Sequence, residues 1–212
     1  SFCYNSIVKW NLSKKEEWLF KRLSTPQKIQ DYLNSIPNNF EEHSETCMSP
    51  RRVMREKKAH CIEGAIFAGA VLWYHGKKPL VLHFSTTKRD EDHVIALFKE
   101  GGLWGAISKT NHAILRYRDP VFKTIRELAL SYFNEYYEYG NGKKSLRGYT
   151  SPINLKIFGN DWVTEERELW GISDELTGSK HIPIVPKNIL KKLRPADPIE
   201  LKILIHTDWK KR

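Results

Sequence analysis

Cys61 stands near the head of an apolar, small-residue run, Ala59-His60-Cys61-Ile62-Glu63-Gly64-Ala65-Ile66-Phe67-Ala68-Gly69-Ala70-Val71-Leu72. About thirty residues on, His93 begins an alternating run, Asp92-His93-Val94-Ile95-Ala96-Leu97-Phe98. A cysteine at a helix start and a histidine at a strand start are the two parts that acyl transfer through a thiol requires. The helix start offers unpaired backbone N–H groups and the positive end of a dipole, and both favour thiolate over thiol. The imidazole carries the proton between nucleophile and leaving group. Neither residue is diagnostic alone. Cysteine is among the most buried residue types, and a histidine followed by Ile95 and Leu97 is ordinarily structural.

The elements that must position the pair follow from the surrounding pattern. The run from Cys61 to His75 reads as a helix stopped at Gly76, a C-terminal cap residue. Its Gly64, Ala65, Ala68 and Gly69 allow another backbone to approach closely, which suits a helix buried against a sheet. Upstream, Ser13-Lys14-Lys15-Glu16 has capping-box spacing, and Thr25-Pro26 and Ser49-Pro50 each open a further helix with proline at its first position. Downstream, Leu80 to Phe84, His93 to Phe98 and Leu103 to Ile107 alternate as strands do. Asp119-Pro120 is expected to cap a long helix reaching about Tyr139 before Gly140-Asn141-Gly142. Beyond Ser151 prolines become frequent and apolar runs short. The expected organisation is a core over 1–150 and an irregular extension over 151–212 packed on the same domain.

The hairpin after His93 assigns it a neighbour. A turn centred on Glu100-Gly101 puts Phe98 opposite Leu103 and His93 opposite Ser108, with Cβ atoms about 5 Å apart. A turn at Gly101-Gly102 puts Thr110 there instead. Either way the group beside the imidazole is a hydroxyl. Asn111, three residues past Ser108, is the second candidate for the orienting role. The Cys61 backbone N–H is one oxyanion donor, and Asn38 or Asn39 in the preceding loop are candidates for another. His43, Cys47, His60 and Cys61 fit no common zinc-ligand spacing, so no metal and no cofactor are expected. Cys3 and Cys47 have no partner motif.

On these residues the chain resembles the bacterial transglutaminase-like proteins of the papain-like superfamily. The match lies in Ala59-His60-Cys61-Ile62-Glu63-Gly64-Ala65, Asp92-His93-Val94 and Gly102-Leu103-Trp104-Gly105-Ala106-Ile107-Ser108. It covers about Thr25 to Tyr139 and is nearest to a largely uncharacterised subgroup. The resemblance implies an α+β fold in which N-terminal helices and a buried Cys-bearing helix pack on an antiparallel sheet. It also implies a Cys61 thioester with His93 as general base and then acid, acting on an amide bond of a protein or peptide. Hydrolysis, transamidation and deamidation share every step to the acyl-enzyme. The family's third residue is an aspartate four residues after a tryptophan. Trp104 is present, but Ser108 occupies the acid's place, and a hydroxyl orients an imidazole without stabilising its positive charge.

The 212 residues suffice for one sizeable domain, and at 40% hydrophobic and 28% charged they are too apolar for disorder. No run approaches the roughly 18 apolar residues of a membrane span. Three widely spaced cysteines favour a reducing, cytoplasmic setting over a disulfide framework. Ser1-Phe2-Cys3-Tyr4-Asn5 has neither an initiator Met nor a signal-peptide pattern and reads as a trimmed end. The net charge of +10 is densest over Arg51 to Lys58 and Trp209 to Arg212. It raises nucleic acid as a partner, but no nucleic-acid motif accompanies it, and solvated helix surface is the expected role. A second reading, from another functional class, is an inactive domain that binds a partner through this basic face.

Overall fold

A computed structural model describes residues 10–209. Four helices come first: α1 (Lys14–Arg22), α2 (Pro26–Ser35), α3 (Pro50–Glu56) and α4 (Cys61–Tyr74). Their starts follow local chemistry. The Ser13 hydroxyl accepts from the Glu16 N–H while the Glu16 carboxylate accepts from the Ser13 N–H. The Thr25 and Ser49 hydroxyls accept from Lys28 N and Arg52 N, each just ahead of a proline at N1.

Strands β1 (Leu80–Ser85), β2 (His93–Glu100), β3 (Leu103–Ser108) and β4 (Arg118–Phe122) follow, then α5 (Ile125–Phe133). The remainder carries β5 (Gly148–Thr150), β6 (Ile153–Asn154), α6 (Trp170–Gly178), β7 (His181–Pro183), α7 (Lys187–Leu190) and α8 (Pro198–Leu201), with short 3-10 turns between. All seven strands form one antiparallel sheet, ordered β4-β3-β2-β1-β5-β7, with β6 also on β1. Residues 148–183 therefore complete the sheet as well as covering it. Leu155, Trp162, Val163, Ile172 and Leu176 belong to the same buried cluster as α4.

The fold is mixed α and β in three layers. Helix α4 is buried all round from Glu63 to Leu72. It is packed between Phe20, Ile29, Leu33 and Val53 of the first three helices and Val81, Val94, Ala96, Phe98 and Ile107 of the sheet. The opposite sheet face, Leu82, Phe84, Ile95, Leu97 and Ala106, is covered by Leu128, Ala129 and Tyr132 of α5. Small residues bring α4 close, as their pattern suggests. A Cβ on Gly64 would lie 2.4 Å from Lys109 Cβ, and one on Gly69 would lie 3.2 Å from a Leu155 methyl.

Two expectations are corrected. The hairpin turn is Gly101-Gly102, not Glu100-Gly101, so Phe98 faces Gly105 and Glu100 faces Leu103. Both turn residues take positive φ, 57° and 83°, which a two-residue type I′ turn demands and which glycine adopts without a Cβ clash. Glutamate at the first position would be strained. The long helix from Asp119 to Tyr139 is the second correction. Asp119 and Pro120 lie in β4, at the edge of the sheet, where proline's missing N–H costs no ladder bond. The helix begins only after Thr124, whose hydroxyl accepts from Glu127 N and whose own N–H meets the Glu127 carboxylate. It ends at Phe133.

Because Gly64 admits the Lys109 stem at less than normal Cβ separation, Gly64→Ala should force α4 away from the end of β3. Overpacking of this kind costs about 1–3 kcal/mol. A fall in the urea unfolding midpoint at unchanged m-value is the expected result. An unaltered midpoint would show that the helix is not seated this closely.

Candidate active site

Cys61 is the first residue of α4, and His60 before it takes extended backbone angles as N-cap. His93 is the first residue of β2. Alternation puts His93 on the α5 face of the sheet, with Ile95 and Leu97, whereas α4 packs on the other face. The two still reach one cleft because each begins its element at the same end of the sheet. They line one cleft of about 550 Å³, together with Asn38, His60, Lys109 and Asn111.

The imidazole of His93 is buried and held by Ser108, with Nε2 2.8 Å from Oγ. In the observed register Ser108 faces Ile95, not His93. The two nevertheless share a face as diagonal neighbours, within reach for a long side chain. The Ser108 hydroxyl also donates to the Leu115 carbonyl, which can only accept. Its single proton is thereby used, so Oγ accepts from His93 Nε2–H. This leaves Nδ1 of a neutral His93 with a lone pair, the nitrogen available to Cys61. Thr110, expected in this place for a Gly101-Gly102 turn, instead accepts from His112 N through its hydroxyl. Asn111 lines the cleft but donates to the Trp209 carbonyl, 3.2 Å away.

Ser108 is fixed by a residue that sequence reasoning passed over. Gln30 of α2 accepts from Ser108 N at 2.9 Å and donates to Ser108 O at 2.8 Å, closing the end of β3 with a side-chain amide. Its signal was a polar residue on the apolar stripe of Ile29 and Leu33. Of the two loop asparagines, Asn38 lines the cleft with Cys61; its amide nitrogen donates one proton to the Asn39 carbonyl, 3.3 Å away, and keeps a second that an oxyanion could accept. Asn39 points inward and donates to Glu63.

His60 and Glu63 were also missed, although a glutamate three residues after an N-cap is half of a capping box. Glu63 has no solvent exposure and accepts from four neighbouring groups, His60 N, Met48 N, Thr46 Oγ1 at 2.7 Å and Asn39 Nδ2, while the His60 ring lies 3.4 Å away. Burial alone would raise its pKa. Hydrogen bonds and the charge of His60 overcome that and hold it at about 2. The Cys61 thiol shows the same contest. Desolvation pushes it up, but hydrogen bonding and positive charge from His60 and His93 bring it from 9.0 down to about 6. Lys109, buried with Nζ 2.7 Å from the Ile36 carbonyl, is lowered to about 8 by desolvation.

The remaining candidates lie apart from this chemistry. Cys47 is buried and unpaired, and burial, with the charges of Glu63 and Glu168, pushes its thiol up to about 12. His43 is exposed in the loop, Cys3 lies outside the described residues, and no group of three or more metal-binding side chains occurs among the described residues. The arginines of α3 are engaged by carboxylates: Arg51 by Glu16, Arg52 by Glu168 and Arg55 by Glu166. Much of the basic run is therefore compensated on the surface that was to bind a partner. Among the described residues no helix is long and apolar enough to cross a membrane.

Two measurements follow from these charges. The alkylation rate of Cys61 by iodoacetamide should rise through a midpoint near pH 6. A midpoint near 9 would mean that neither imidazole acts on the sulfur. Glu63, depressed in the folded state relative to an ordinary 4.5, contributes stability that is present above pH 4.5 and lost as pH falls toward 2. Glu63→Gln should be less stable at pH 7 and show a flatter loss of stability across that window in urea unfolding.

Comparison with protein-family models and with curated proteins finds no match to this chain.

Proposed function

We propose that the protein is a cysteine-dependent acyl-transfer enzyme with a transglutaminase-like, papain-like α+β architecture, acting on an amide bond of a protein or peptide. The observation that carries this reading is the convergence of a helix-start thiol and a Ser108-anchored imidazole in one open cleft. A reducing, cytoplasmic setting would keep that thiol free.

The chemistry follows from the atoms present. The Cys61 thiol gives its proton to Nδ1 of His93, and the thiolate attacks the amide carbonyl to form a C–S bond. Negative charge on the carbonyl oxygen is met by the Cys61 N–H at the positive end of α4 and by the Asn38 amide. His93 then protonates the departing nitrogen, the C–N bond breaks and a thioester remains. Deacylation reverses the proton traffic: His93 takes a proton from water or an amine as it attacks, and returns it to the leaving Cys61 sulfur. Water gives hydrolysis and an amine gives transamidation.

The acyl-enzyme is the species to trap. Mixing the full chain with an activated peptide ester should add one acyl group at Cys61 by intact-mass measurement, and Cys61→Ala should add none. His93→Asn should slow acylation by about 10²–10⁴, the usual contribution of a positioned acid–base group. Ser108→Ala should slow it less, since the ring keeps its place but loses its fixed tautomer. Acylation of Cys61→Ala, or an unchanged rate in His93→Asn, would overturn the reading.

A further inference from the structure

Two imidazoles line the cleft with Cys61, and the carboxylate of the site belongs to the second of them. His93 rests on a neutral hydroxyl. The ring of His60 has Nε2 3.0 Å from the Thr46 carbonyl, 3.4 Å from Glu63 Oε1 and 3.5 Å from Glu41 Oε1, and His60 is the N-cap residue immediately before Cys61. We propose that His60, locked as an imidazolium by Glu63 beside Cys61, is the positioning residue that keeps the nucleophile ionised once its proton has passed to His93, which carries that proton to the departing nitrogen. This rests on the reading of Cys61 as the nucleophile.

The geometry supports a fixed charge on His60. A carbonyl can only accept, so Nε2 carries a proton, and the two carboxylates within 3.5 Å of that nitrogen favour the doubly protonated ring. Glu63 has no access to water and needs a cation beside it; otherwise an unpaired buried charge would remain. The charged and titratable groups around His60 are Cys61 and Glu63 on its own helix, Glu41 on the preceding loop, His93 on β2 and Lys109 past β3. Lys109 is turned onto the Ile36 carbonyl, so the groups nearest the ring are anionic. In agreement, desolvation would lower the His60 pKa, but Cys61 and Glu63 raise it to about 11. An imidazolium held by two carboxylates gives up its proton poorly, and acid–base catalysis needs a group that releases its proton near the working pH. The division of labour also compensates for the hydroxyl at Ser108. Where a carboxylate behind His93 would stabilise an imidazolium there, this site keeps a permanent imidazolium at the helix start.

The test reads thiol ionisation at Cys61, by peptide mass spectrometry of iodoacetamide alkylation against pH, in the full chain. His60→Asn should raise the midpoint by at least about one unit, which is about a tenfold slower reaction at pH 5. His60→Lys should restore part of the shift, because it returns a cation without an imidazole. His93→Asn should move the midpoint less than His60→Asn does. An unmoved midpoint in His60→Asn, or a larger shift in His93→Asn, overturns the assignment. A measurement on the unaltered chain needs no variant to fold: the His60 ring proton resonance should stay at its charged position from pH 5 to 8, and titration within that range overturns the proposal. A midpoint near 9 in the unaltered chain would remove the enzyme reading as well. A low midpoint that His60→Asn leaves in place removes this inference alone.

Discussion

A carboxylate with no access to water stands at the centre of this molecule's chemistry, and the cost of desolvating such a charge dictates what surrounds it. Glu63 must be met by donors from every side. They come from the Asn39–Met48 loop, from the N-cap His60 and from the loop's own Thr46. Those contacts tie the loop to the first turn of α4 and fix where that helix begins. The position of Cys61 is therefore set by a charge two residues away as much as by the apolar packing of the helix behind it.

The second organising feature is the end of the sheet. Strands β2 and β3 are long enough to bury their middles on both faces, yet His93 and Ser108 lie at their shared end. There the alternation that separates the faces no longer keeps α4 from the strand residues. Gln30 closes the end of β3 from the helical side, and the Leu115 carbonyl fixes the hydroxyl of Ser108. A tautomer is thereby selected by a chain of acceptors that each leave one choice. Tight glycine contact at Gly64 brings the helix near enough for this arrangement to meet the thiol.

Charge elsewhere is spent locally. The arginines of α3 are matched by glutamates from α1 and from the 165–168 segment, so a strongly basic composition does not become a basic face on that helix. Surface pairs of this kind contribute little to stability, but they draw the later chain onto the helical layer. The strands of residues 148–183 then extend the sheet beyond β1, which makes the late segment part of the core rather than an appendage.

Local signals carried much of this in the sequence alone. Ser13, Thr25 and Ser49 marked helix starts because capping is decided within four residues. Cys61 and His93 marked the heads of a helix and a strand because burial periodicity changes there. The glycine pair of the hairpin was legible too, but choosing between adjacent turns required the positive φ at both Gly101 and Gly102, and only strand pairing imposes that. Asp119-Pro120 carries the same local signal whether it caps a helix or lies in an edge strand; pairing with β3 decided the outcome. The roles of Gln30, His60 and Glu63 were hidden for a related reason. Their partners are, for Gln30, 78 residues away and, for Glu63, in a loop with no periodicity, and a buried polar group declares its purpose only when the fold shows which donors and acceptors were brought to it.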